Sequence, residues 1–213
     1  MSREEATLRA GLAQLHLELS DLQISQLLDY QALIAKWNKV YNLTAVRDPT
    51  EMMTHHLLDS LAMIAPLRQR VLQGSLLDVG SGAGLPGVVI AICCQTISVT
   101  CVDTVAKKAT FVKQVALELK LQNLAGLHAR VETITQPFDV ICSRAFAALK
   151  DFTSWSADAL SPAGMWLAMK GKHPADELAA LPETVSVFHV EQLVIPGLDA
   201  ERCLVWMCRK SVS

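Results

Sequence analysis

The sequence predicts a doubly wound α/β fold: a Rossmann-like sheet, mostly parallel with an antiparallel edge strand, behind an N-terminal helical extension. Three observations predict it. From residue 74 onward, apolar strand-like runs alternate with helical stretches, a pattern that right-handed crossovers turn into a parallel sheet. The first of these strands runs directly into a glycine-rich turn, Gly80-Ser81-Gly82-Ala83-Gly84, that opens a helix. Before residue 74 the apolar residues recur at helical spacing instead.

Composition sets the limits. The chain has 213 residues, 51% hydrophobic and 19% charged, which suits one domain with a well-buried core. The expected division is a helical extension over 1–73 and the α/β core over 74–213, together forming one structural domain. A net charge of −2 gives no general affinity for nucleic acid, so any RNA contact must come from a local basic patch. The N-terminus, with Arg3, Glu4 and Glu5, is charged where a secretory leader is apolar. The longest apolar run, Val88 to Cys94, falls far short of the roughly 20 residues of a membrane span. A cytoplasmic, monomeric protein without membrane contact is expected. The six cysteines contain no C-x-x-C pair, and they read as small buried hydrophobes in a reducing compartment rather than as metal ligands.

In the extension, the first helix is expected over about 3–18. The second opens at Ser20, whose hydroxyl can cap while Gln23 reaches back, and it buries Ile24, Leu27, Leu28, Ile34 and Trp37. Tyr41-Asn42-Leu43-Thr44 breaks that periodicity. A third helix starts at Asp48-Pro49-Thr50-Glu51, with an acidic cap and proline in the first turn, and it buries Met53, Leu57, Leu61 and Ile64 before ending near Pro66. In the core the expected elements are strand 75–80, helix 84–94, strand 97–103, helix 105–120, strand 125–130, strand 138–143, helix 147–160, strand 164–170 and helix 174–181. Two final β stretches, near 184–195 and 202–209, have no helix between them and should form an antiparallel hairpin at one edge. That ending distinguishes a methyltransferase sheet from a dinucleotide-binding one.

The glycine turn carries the strongest chemical signal. In Asp78-Val79-Gly80-Ser81-Gly82-Ala83-Gly84-Leu85, glycines let the chain turn tightly and let a ligand approach the backbone at the carboxyl ends of the strands. A pyrophosphate-binding G-x-G-x-x-G starting at Gly80 would need glycine at 85, where Leu85 stands. The spacing is instead the usual look of an S-adenosylmethionine site, which makes Asp78, Gly80, Gly82, Gly84 and Leu85 candidate cofactor-binding residues; a plain strand–helix join is the other reading. The second strand ends at Asp103, where a carboxylate can accept hydrogen bonds from both ribose hydroxyls of an adenosine ligand or simply cap the next helix. Val131 and Glu132 follow the third strand, at the level where adenine-contacting backbone lies in such folds, although Glu132 could equally be a surface acid.

Two further strand ends deliver cations to the same edge of the sheet: Arg144 after Ser143, and Lys170 before Gly171. They are the candidate catalytic residues and suit an anionic or electron-rich acceptor such as nucleic acid, with a structural salt bridge as the alternative for each. In His55-His56-Leu57-Leu58-Asp59-Ser60, Asp59 lies within a turn of both histidines. A hydrogen-bond network, a substrate-positioning role, a solvated face or a metal site could account for that grouping; adjacent histidines diverge on a helix, and no metal is expected.

These segments together resemble one family, the 16S rRNA (guanine-N7) methyltransferases called RsmG or GidB. The resemblance runs from about Trp37 to Val205. It is carried by Trp37-Asn38-Lys39-Val40-Tyr41-Asn42-Leu43-Thr44, His56-Leu57-Leu58-Asp59-Ser60-Leu61, Asp78 through Gly87, Asp103 with Lys107-Lys108, Ser143-Arg144-Ala145-Phe146, Lys170-Gly171 and Glu201-Arg202. It implies a class I methyltransferase using S-adenosyl-L-methionine, with 16S rRNA or the small ribosomal subunit as partner and N7 of one guanine (position 527) as acceptor. It also implies a cofactor pocket built from Gly80, Leu85, Val131, Glu132 and Arg144 with Asp103 at the ribose, and RNA held or positioned by Arg130, Arg144 and Arg202; Asn42, His56 and Lys170 are the further RNA-binding candidates. The family commonly places arginine before the motif histidine, where this chain has His55. A methyltransferase acting on another RNA or a small-molecule acceptor would share the cofactor half but not the acceptor half, a nicotinamide-dependent oxidoreductase would share the glycine turn and Asp103, and an RNA-binding protein with a vestigial pocket would share all of it. None explains the full set of segments as well.

Overall fold

A computed structural model of the chain describes residues 1–210. Helix α1 (Arg3–Gln14) starts on a Ser2 cap and stops sooner than its periodicity suggests, because His16 takes a left-handed turn at φ 52°. The capping box forms as read: Ser20 Oγ accepts from Gln23 N while the Gln23 side chain accepts from Ser20 N, opening α2 (Asp21–Tyr41). Asn42, in the left-handed region at φ 50°, closes α2. Asp48 caps α3 (Pro49–Met52) through Thr50 N and Glu51 N. The third helix then departs from expectation, passing through a π-helical stretch, Met53–Leu58, before α4 (Asp59–Leu61). Pro66 does not end it; Pro66 sits in the first turn of α5 (Ile64–Arg70), where its missing N–H costs nothing.

The core runs β1 (Gly74–Val79), α6 (Gly87–Cys93), β2 (Ile97–Asp103), α7 (Ala106–Glu118), β3 (Leu124–His128), β4 (Phe138–Arg144), α8 (Leu149–Trp155), β5 (Leu160–Lys170), α9 (Ala175–Ala179), β6 (Val185–Leu193) and β7 (Arg202–Arg209). The helix expected over 147–160 is shorter, because a separate 3₁₀ turn at Ala157–Ala159 leads into a fifth strand that begins earlier than 164. The seven strands lie in the order β3-β2-β1-β4-β5-β7-β6. β1 pairs in parallel with β2 and β4, and β5 in parallel with β4; β7 is antiparallel to both β5 and β6. The hairpin therefore closes back on itself, placing β7 inside and β6 at the edge.

Alternation along β1 assigns the two faces. Leu76 joins the cluster shared with α6, α7 and the N-terminal helices; Leu77 and Val79 join the cluster on the other face with Phe138, Phe152 and Trp166. The first cluster runs without a break from Leu8 through Leu27 and Val88 to Trp206, so the N-terminal helices and the sheet share one core. Polar ties cross the same seam: Gln23 donates to Ile92 O at 2.8 Å, and the fully buried Tyr30 hydroxyl donates to Ala83 O at 2.6 Å. The extension thus holds the glycine turn from behind. Among the described residues no helix is long and apolar enough to cross a membrane.

Candidate active site

The turn after β1 is shaped by what glycine permits. Gly80, Gly82 and Gly84 take φ values of 66°, 60° and 89°, a region that residues with a Cβ enter at a cost. A Cβ at Gly80 would collide with the Phe146 ring, whereas one at Gly82 would meet nothing within 4 Å. Gly82 therefore borders open space. Behind the turn lies Asp78, completely buried, its Oδ2 accepting from Gly87 N at 2.8 Å while Oδ1 has no partner. Burial pushes its carboxyl up to about 7, against the lowering pull of the Gly87 N–H and the Arg144 charge.

Two adjoining cavities open at this edge of the sheet and share Gly80 and Ala145. The larger, about 350 Å³, is bounded by Asp103 and Val105 on one side, Arg130, Val131 and Glu132 on another, and the aromatic rings of Phe146 and Trp155. The smaller, about 160 Å³, lies among Thr44, His56, the Gly80–Ala83 turn, Leu85 and Arg144. Asp103 ties the turn to the second strand: Oδ2 accepts from Gly82 N at 3.0 Å and Oδ1 from Val105 N at 2.8 Å. It is not the helix cap the sequence allowed, since Val105 is the N-cap of α7 and no side chain caps that helix; Asp103 instead fixes the chain before it, and each oxygen keeps a lone pair for a ligand hydroxyl.

The structure sets several candidate residues apart from these two cavities. Asp78 and Gly84 border neither cavity: Asp78 anchors the helix behind the turn, and Gly84 is packed against Val88 and Tyr30. Lys170 also borders neither. Its Nζ donates to Ala147 O at 2.8 Å and pairs with Glu177 at 2.7 Å, contacts that brace the segment after Arg144. Asn42 is an exposed helix cap that accepts from Arg47, one residue away from the cavity wall. Val131 and Glu132 border the larger cavity, and Arg130 pairs with Glu132 at 3.1 Å on an open rim. The Glu132 N–H, and then Arg130, hold that carboxyl below its ordinary range.

Asp59 is not a partner of the histidines. Its carboxylate, 2% exposed, accepts from Arg144 at 2.8 Å through one oxygen and from Arg202 Nε at 2.7 Å through the other. Arg144 also donates to His55 O at 2.8 Å. Strand ends of β4 and β7 are thereby locked onto the N-terminal helices, and Arg144 keeps further N–H groups at the small cavity. His56 instead meets Thr44 Oγ1 through Nε2 at 2.8 Å, and burial lowers its pKa to about 4, so it is neutral at pH 7. Five of the six cysteines are buried and all are free thiols; burial raises Cys101 and Cys142 well above the ordinary range, which leaves them inert.

Sequence reading missed Thr44, Phe146 and Trp155 as cavity residues. Phe146 and Thr44 lie inside segments already singled out, so a signal was present; Trp155, at the end of α8, had none. Phe146 and Trp155 meet edge-to-face with centroids 5.9 Å apart, an arrangement set by packing.

The chain matches a family described as GidB, rRNA small subunit methyltransferase G, over residues 23–205. It is 72% identical to "Ribosomal RNA small subunit methyltransferase G" of Polaromonas sp. (strain JS666), over 98% of this chain and 95% of that relative. It is 64% identical to the protein of the same name from Albidiferax ferrireducens, over the full length of both. Among solved structures, the magnesium protoporphyrin IX methyltransferase of Synechocystis, with bound S-adenosylmethionine, superposes with a TM-score of 0.62 at 12% identity, over 85% of this chain and 98% of that one. A methyltransferase from Aquifex aeolicus superposes at 0.56 with 17% identity, over 75% and 93%. At these identities the likeness shows the fold, that of S-adenosylmethionine-dependent methyltransferases.

Proposed function

The chain belongs to the GidB family of rRNA small subunit methyltransferases, and from that premise we propose that it methylates N7 of one guanine in 16S rRNA, using S-adenosylmethionine. The observation that carries the reading is the pair of joined cavities around the glycine turn, with Asp103 bordering one and Arg144 the other.

The residues present fit that cofactor. Asp103 offers lone pairs to the ribose hydroxyls, while Val105, Val131, Phe146 and Trp155 give an apolar slot for adenine. Gly82 borders space that any side chain would fill. When bound, the cofactor supplies an electrophilic methyl group on a sulfonium. Guanine N7 carries a free lone pair, so no proton has to leave before attack and no general base is required. His56, with its pKa lowered to about 4, is a weak base, and Arg144 is a carboxylate-bound cation, so neither is suited to removing a proton, in agreement with that requirement.

What this chain supplies is orientation. Proximity and in-line alignment can account for roughly 7–11 kcal/mol of a barrier. The methylated base is cationic, so a guanidinium aimed at N7 would oppose the reaction; Asp59 holds Arg144 back, leaving it for O6, a phosphate or the cofactor side. The base must be exposed in a loop or flipped out. Arg130 on the open rim, and Arg202 with its remaining N–H groups, offer phosphate contacts.

The test is transfer of labelled methyl from S-adenosylmethionine to small-subunit RNA, followed by mapping of N7-methylguanosine. Wild type is expected to label one guanine. Asp103→Ala is expected to weaken binding of S-adenosylhomocysteine at least tenfold. Label at another atom or on another RNA, or unchanged affinity in Asp103→Ala, would overturn the reading.

A further inference from the structure

We infer that Tyr41, the last residue of α2, is the stacking platform for the RNA base next to the methylated guanine, with Lys39, Arg47 and Lys107 holding the adjoining phosphates. This rests on the rRNA methyltransferase reading above and names residues for a part of the substrate that lies outside both cavities.

Tyr41 keeps 40% of its surface exposed, yet its ring is held in place. It leans on Trp37, one helical turn back along α2, with centroids 5.2 Å apart and planes inclined at 37°. Trp37 in turn meets the fully buried Phe111 of α7 edge-on at 5.3 Å. The row of rings thus runs outward from the core, and its last member shows an open face to solvent. A ring supported on one side and open on the other loses little freedom when a base settles on it, and every base has a π face to offer.

The charges around the ring fit RNA. Phe111 sits one turn after Lys107, so Lys107 comes from the side of α7 that meets Trp37. Arg47 donates to Asn42 Oδ1 at 3.1 Å, which holds it beside the left-handed residue that closes α2, and its guanidinium keeps further N–H groups. Lys39, Arg47 and Lys107 are exposed, and none of them joins an ion pair among the described residues. A chain of net charge −2 therefore sets three unpaired cations around one open aromatic ring, the combination that binds a single nucleic-acid strand.

Position ties this surface to methyl transfer. Tyr41 borders neither cavity, but Leu43 and Thr44 border the smaller one and Lys108 the larger. Two residues of extended chain span at most about 7 Å, a distance that one nucleotide of a splayed strand covers. Asn38 keeps the platform in register with the cavity wall: its Oδ1 accepts from Thr44 N at 3.0 Å and its Nδ2 donates to Val46 O at 3.2 Å. A guanine delivered to the cavities leaves its neighbour at the level of Tyr41.

The test measures methyl transfer at varied concentrations of unmethylated small-subunit RNA, beside calorimetry with S-adenosylhomocysteine. Tyr41→Ala is expected to lower kcat/KM for the RNA by about 10- to 100-fold, the worth of one base on an aromatic ring, and to bind S-adenosylhomocysteine within twofold of wild type. Tyr41→Phe and Tyr41→Trp should stay within about threefold of wild type, since both offer a π face. Tyr41→Leu keeps Trp37 covered but offers none; it should fall as Tyr41→Ala does, and it decides the matter if Tyr41→Ala folds poorly. Lys107→Ala should flatten the slope of log RNA affinity against log salt by about 0.7, the share of one phosphate on a single strand. Unchanged kcat/KM in Tyr41→Ala, wild-type turnover in Tyr41→Leu, an equal loss of S-adenosylhomocysteine binding, or an unchanged slope in Lys107→Ala overturns the inference and leaves the methyltransferase reading standing. A wild type that labels no small-subunit RNA overturns that reading, and this platform with it.

Discussion

Removing the Asp59 carboxylate should cost stability and activity together, by an amount the site geometry bounds. The group is 2% exposed and accepts at 2.8 Å from Arg144 and at 2.7 Å from Arg202, whose side chains are 19% and 24% exposed. Breaking a fully buried ion pair costs about 3–5 kcal/mol because a charge is left unpaired. Here the stranded groups are two guanidiniums that still reach water, so about 2–3 kcal/mol is the better expectation for Asp59→Ala. In a chain of this length about 1 kcal/mol moves Tm by roughly 2–4 °C, which gives a drop of about 5–10 °C. Asp59→Asn, which keeps the shape and one acceptor, should lose about half as much. Because the same bond holds Arg144 beside the small cavity, methyl transfer to small-subunit RNA should fall more than tenfold in both variants, even at temperatures where they remain folded. The assay is a thermal melt paired with a double-mutant cycle against Arg202→Ala. A Tm within 1 °C of wild type, or effects of Asp59→Ala and Arg202→Ala that simply add, would refute the reasoning, since side chains sharing one bond must couple.

His56 gives a pH prediction. Its folded pKa of about 4 lies below the ordinary 6.5. Below pH 6.5 the unfolded chain therefore takes up a proton that the folded chain refuses. Stability from this group is complete above pH 6.5 and is lost as pH falls toward 4, by roughly 3 kcal/mol across that window. Melts of wild type and His56→Gln at pH 7.5 and 5 should converge as the pH drops, and parallel curves would contradict the assignment. Gly80→Ala is expected to fold with reduced stability and to weaken S-adenosylhomocysteine binding by tenfold or more, because the new methyl strikes Phe146 and the residue must hold φ 66°; calorimetry showing wild-type affinity would mean that Phe146 does not border the ligand.

Much of this molecule is legible in its sequence where the deciding physics is local. Ser20 with Gln23, Asp48 with Pro49, and the strand running into Gly80 each act within a few residues, and each formed in the expected place. The strand ends at Asp103 and Arg144 were legible for the same reason, because a parallel sheet delivers every strand's carboxyl end to one edge. Partnership was not legible. Asp59 stands within a turn of His55 and His56 in the sequence, yet its carboxylate serves Arg144 and Arg202, 85 and 143 residues away. Lys170 reads as an acceptor-side cation in the sequence, and its partners, Glu177 and Ala147 O, appear only in the folded chain. Asp78 looked like a ligand contact until Gly87 N claimed it. Spacing along the chain specifies which residue types reach the sheet edge; which charge meets which depends on how the N-terminal helices pack across that edge, and only the tertiary structure decides that.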